Sequence, residues 1–87
     1  MTREETTAKI ITILSDDFEF ENPGPTDNLR DDHGFDSIDA IELLGKIEQT
    51  ILGFSLSREE KERAMTIRTI DDIVNYIEAI RLAHNTP

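Results

Sequence analysis

The sequence predicts an all-α protein: a small four-helix bundle of three longer helices and one short third helix, with a long loop between the first two. Three observations carry this expectation. Apolar residues recur at helical spacing in separate stretches, capping signatures open three of those stretches, and a segment broken by two prolines and a glycine separates the first pair. With 87 residues and 37% apolar content there is chain enough for one small core, so a single domain over 1–87 is expected.

Thr2-Arg3-Glu4-Glu5 reads as a capping box, in which Thr2 accepts from the first turn and Glu5 reaches back. It opens a helix over residues 3–15 with Ile10, Ile13 and Leu14 on its apolar face and Ile11 at the flank; Asp16-Asp17 breaks the pattern. From Phe18 to Phe35 runs a connection punctuated by Asn22-Pro23-Gly24-Pro25, which no helix crosses undisturbed. A loop of that length inside a compact domain has to be pinned, and Phe18, Phe20, Leu29 and Phe35 are the expected pins.

The second helix is expected over 37–51. Its stripe is Ile38, Ile41, Leu44, Ile47 and Ile51, widened by Leu43, with Asp39, Glu42 and Glu48 mostly off it. Gly45 in mid-helix costs about 1 kcal/mol relative to alanine, so it needs a reason: a widened pocket entrance or a close helix contact. Gly53 suits a left-handed cap at the stop. Ser57-Arg58-Glu59-Glu60 is a second capping box, opening a short third helix to Ala64 whose alternating charges read as a solvated face. Thr69-Ile70-Asp71-Asp72 caps the last helix, with Ile70, Ile73, Val74, Ile77 and Ile80 inward and Tyr76 at the edge, its hydroxyl wet. Residues 82–87 are expected to fray.

The net charge is −10, and residues Asp16 to Glu48 alone carry −9 of it. Such a face repels nucleic acid and anionic lipid and steers basic protein patches toward itself. The chain has no cysteine, which excludes disulfides and thiolate metal sites; any thiol it presents has to be added. No basic segment leads into an apolar run, and no apolar stretch approaches the ~18 residues of a membrane span. Neither a signal peptide nor a span is therefore expected, and the cytoplasm is the default setting. An EF-hand loop beginning at Asp31 would set Glu42 correctly, but His33, Phe35 and Asp36 occupy places that need ligands or glycine, so no metal site is expected.

The acidic surroundings converge on one serine. Gly34 suits a tight approach, Asp36 is a good N-cap, and Ser37 falls at the first helical position with its side chain outward. A catalytic role for Ser37 has nothing positive behind it. There is no G-x-S-x-G elbow, His33 reads as an exposed loop histidine, and His84 lies in the expected tail.

The run Gly34-Phe35-Asp36-Ser37-Ile38-Asp39, of the form G-x-D-S-[LIV]-[DE] and followed by an acidic amphipathic helix, resembles the prosthetic-group attachment site of the acyl carrier proteins. The similar order of apolar positions extends from about Ile10 to Ile77. This resemblance implies that Ser37 accepts a 4'-phosphopantetheine arm from coenzyme A through a phosphopantetheinyl transferase, with Gly34 and Asp36 shaping the attachment loop. It further implies a stand-alone monomeric carrier, not an enzyme, holding acyl thioesters for fatty-acid, polyketide or specialised lipid synthesis.

Acyl-transferring and synthase enzymes with basic patches would read Asp39, Glu42 and Glu48. By the same resemblance, Ile38, Leu43, Leu44, Ile47, Ile51, Ile67 and Ile73 would line the acyl-chain pocket. Two loop residues depart from the family's habit. His33 stands where an apolar residue is usual and Phe35 where a small one is common, which bears on the enzymes that recognise the loop. The alternatives are a peptidyl carrier, against which the acidic second helix speaks, and an unmodified acidic helical adaptor.

Overall fold

Five α-helices follow one another as α1 (Arg3–Asp17), α2 (Leu29–His33), α3 (Ser37–Ile47), α4 (Arg58–Arg63) and α5 (Ile70–Asn85). They belong to a computed structural model that describes residues 2–85, among which no strand occurs. α1, α3, α4 and α5 are the four helices expected; α2 is an addition inside the long connection. α3 runs on into one π-helical turn, Glu48–Leu52, and α4 into a 3-10 turn, Ala64–Thr66. None of the described helices is long and apolar enough to cross a membrane.

Local chemistry sets most of the helix starts. Thr2 accepts from the Glu5 N–H, and Ser57 and Glu60 exchange side-chain and main-chain hydrogen bonds. Thr69 and Asp72 do the same at the head of α5, at 3.1 Å in each direction. The end of α1 differs from expectation. Asp16 and Asp17 stay helical, and the stop comes later, where Glu19 adopts a left-handed φ of 58° and the Phe20 N–H reaches back to the Leu14 carbonyl at 3.1 Å. The last helix also outruns expectation: residues 82–85 continue α5, while 86–87 lie outside the described residues.

α1 packs on α5, burying Ile10 and Leu14 against Ile73, Val74 and Ile77. The long connection joins this core. Leu29 is fully buried, its N–H donates to the Arg68 carbonyl at 2.8 Å, and the Asp71 N–H donates to Pro25 at 3.1 Å. Phe35 is buried, and Phe18 and Phe20 pack partly buried beside it, so all four expected pins are in place.

The apolar face of α3 is rotated from the expected stripe. Ala40, Leu43, Leu44 and Ile47 are buried, whereas Ile38 and Ile41 are 68% and 63% exposed. Ala40, three and four residues before Leu43 and Leu44, is on the core face, and Ile38 lies on nearly the opposite side of the helix. α3 is apolar over most of its circumference, so two stripes were available, and packing against the rest of the bundle selected one.

Candidate functional site

Ser37 is the first residue of α3, separated from α2 by only three residues. α2 starts on Asn28, whose side chain accepts from the N–H groups of Arg30 and Asp31, and it ends on Gly34 in the left-handed region at φ 68°. A Cβ on Gly34 would meet nothing within 4 Å, so the glycine answers to its backbone angle and not to the close approach expected of it. The Phe35 N–H then donates to Leu29 at 2.9 Å, which fixes the loop just before the serine.

Asp36 caps α3. Its carboxylate accepts from the Asp39 N–H at 3.0 Å, and the Asp39 carboxylate accepts from the Asp36 N–H at 3.1 Å. Both acids are thus turned onto main-chain N–H groups at the positive end of the helix, which offsets part of their charge. Ser37 is exposed, and among the described residues its hydroxyl makes no hydrogen bond. An unengaged hydroxyl at a solvent-facing helix start fits the point of attachment of a phosphodiester-linked group.

The acids expected to act together differ in their contacts. Glu42 is exposed and makes no hydrogen bond or ion pair among the described residues. Glu48, at the start of the π-helical turn, accepts from the Leu56 N–H at 2.8 Å and so ties down the chain after Gly53. Beside α3, an open groove of about 460 Å³ brings Arg58 and Lys61 of α4 next to exposed Ile41 and half-buried Met65.

A small cavity of about 10 Å³ lies behind α3, lined by Phe35, Ala40, Leu43, Leu44, Ile47, Ala64, Ile67 and Ile73. Five of the seven residues expected around an acyl chain line it. Ile38 does not, because it faces solvent, and neither does Ile51, which lies in the π-helical turn and packs partly buried against the main core. Ala40, Ala64 and Phe35 were missed as lining; for Ala40 the signal was its spacing from Leu43 and Leu44.

Neither histidine serves the serine. His33, expected to be an exposed loop residue, is half-buried, stacks on Phe20 at 5.1 Å and meets Asp27 Oδ2 through Nε2 at 3.2 Å. The Gly24 N–H at 2.8 Å, with His33 second, holds the Asp27 carboxyl below its ordinary range. His84, expected in a fraying tail, sits on α5, stacks on Phe54 at 4.2 Å and meets Glu60 Oε2 at 3.0 Å. Glu60 is buried and not part of a solvated face; the Ser57 N–H, chiefly, and His84 keep its carboxyl below the usual value. No three His, Asp or Glu side chains among the described residues converge as metal ligands would.

Three comparisons bear on this site. A family model described as "Phosphopantetheine attachment site" matches residues 8–77, a span that contains Ser37 and every helix start after α1. The chain is similar to the acyl carrier protein of Lactobacillus acidophilus, 32% identical over 81 residues, covering 91% of this chain and 96% of that protein. Among solved structures it is similar to the acyl carrier protein from Enterococcus faecalis, with a TM-score of 0.64 and 33% identity over 91% of this chain and 98% of the other.

Proposed function

This chain belongs to the acyl carrier protein family, whose members are carriers and not enzymes and bear a covalent 4'-phosphopantetheine, and from that premise we propose that Ser37 is the attachment residue. The observation that supports it most is the free, exposed hydroxyl at the capped start of α3, inside the matched residues. In the reaction a phosphopantetheinyl transferase catalyses, Ser37 Oγ forms a bond to phosphorus while the pyrophosphate link of coenzyme A breaks. Adenosine 3',5'-bisphosphate leaves, and the hydroxyl proton passes to the transferase. When bound, the arm supplies a thiol that holds acyl groups as thioesters.

The residues around Ser37 position the hydroxyl and advertise it. Gly34 turns the chain out of α2, the Asp36–Asp39 box sets the start of α3, and the −9 charge of residues 16–48 attracts basic enzyme patches. Glu42 is the acid most available for such pairing, since Asp39 and Glu48 already accept main-chain hydrogen bonds. The pathway served is one of acyl assembly, for a fatty acid, a polyketide or a specialised lipid. To test the reading, the purified apo protein is incubated with coenzyme A, magnesium and a broad-specificity phosphopantetheinyl transferase and weighed intact. Wild type gains the mass of the arm and Ser37→Ala does not; equal loading of both would refute Ser37 as the site.

A further inference from the structure

Phe35 lines the cavity behind α3 at the end nearest the serine in the chain. That cavity has a volume of about 10 Å³, around the least that admits one water molecule. Its lining follows α3 from Ala40, on the first turn after Ser37, down to Ile47, and Phe35 adds its ring ahead of the helix, only two residues before the serine. A chain tethered at Ser37 and entering from that end therefore meets the Phe35 ring first.

The ring is fixed on several sides. It is 4% exposed and packs against Phe18 and Phe20, with centroids 6.1 Å away in both cases and the planes steeply inclined. Phe20 is in turn stacked on His33, which Asp27 holds, and the Phe35 N–H is bonded to fully buried Leu29. Admitting an acyl chain at that end thus requires displacing a residue that two aromatic neighbours and a main-chain hydrogen bond keep in place.

We infer that Phe35 is a specificity-determining residue that closes the core to a tethered chain, so that the cargo of this carrier is a short acyl group of a few carbons held outside the bundle. The inference rests on the reading of Ser37 as the attachment residue. It goes beyond that reading in naming the class of cargo and the side chain that selects it.

To test it, wild type, Phe35→Ala and Phe35→Leu are loaded from butyryl- and octanoyl-coenzyme A by a broad-specificity transferase, and loading is verified by intact mass. Phe35→Leu keeps an apolar side chain in the core in case the alanine variant does not fold. The melting temperature of each acyl form is compared with that of the same protein carrying the unacylated arm, and the rate of thioester cleavage by hydroxylamine is measured. In wild type the butyryl and octanoyl forms melt together and are cleaved at the same rate. In the folded Phe35 variants the octanoyl form melts several degrees higher and is cleaved several-fold more slowly. Octanoyl protection in wild type equal to that in the variants, or its absence from the variants as well, overturns the inference. Failure of all three proteins to gain mass overturns instead the Ser37 reading on which it stands.

Discussion

The hydroxyl of Tyr76 on α5 donates to the main-chain carbonyl of Glu60 on α4, sixteen residues earlier in the chain. Expected to be wet, this hydroxyl is half-buried instead, and burial, with the charge of Glu60 adding to it, pushes its pKa up from 10.0 to about 12. Because the folded value lies above the unfolded one, the stability linked to this proton is fully present below pH 10 and is lost as pH rises toward 12. Denaturant titrations across that interval should show wild type losing stability faster than Tyr76→Phe. At neutral pH the variant is weaker by about 0.5–1.5 kcal/mol, the net worth of one hydrogen bond. Parallel alkaline slopes would refute the assignment.

Asp27 and Glu60 govern the acid side. Both carboxyls are held below their ordinary values of 3.8 and 4.5, chiefly by the N–H groups of Gly24 and Ser57 and then by His33 and His84. A depressed folded pKa contributes stability that is present above the unfolded value and disappears as pH falls through the folded one. Asp27→Asn and Glu60→Gln should each be less stable than wild type at neutral pH and flatten the loss of stability below those ordinary values. A variant whose acid limb superimposes on that of wild type shows that its carboxyl does not contribute.

Two glycines separate backbone strain from helix propensity. Gly34→Ala forces a Cβ into a left-handed conformation and should cost about 1–2 kcal/mol, although nothing lies within 4 Å of the added atom. At Gly45 the space is equally open, and neither a close helix contact nor a clash stands in the way of a side chain. Gly45→Ala should therefore stabilise by up to about 1 kcal/mol. Urea midpoints at unchanged m-value measure both, and shifts of the same sign would contradict this account.

Glu42 and Glu48 are predicted to part company under charge reversal. Glu42→Lys should slow loading by the transferase at low ionic strength, with the difference shrinking as salt is added, and leave stability within about 0.5 kcal/mol of wild type. Glu48→Lys loses the acceptor for the Leu56 N–H and should cost about 1 kcal/mol whatever the salt. Equal loading rates for Glu42→Lys and wild type at low salt would remove Glu42 from the recognition surface.

What the sequence determined by itself was local. Thr2, Ser57 and Thr69 each bond within three residues of themselves, and Gly53 closes its helix with a left-handed φ of 76°, so these helix starts and this stop were legible from residue type and spacing alone. The start of α3 was legible for the same reason, since Asp36 and Asp39 form one capping box around it. Tertiary structure alone decided which side of α3 is buried, because an apolar residue carries no record of what will face it. It also brought His84 to Glu60 across 24 residues and set Phe35 over the cavity behind α3. Those contacts join groups that lie far apart in the chain, and only the packing of helices that are each locally specified brings them within reach.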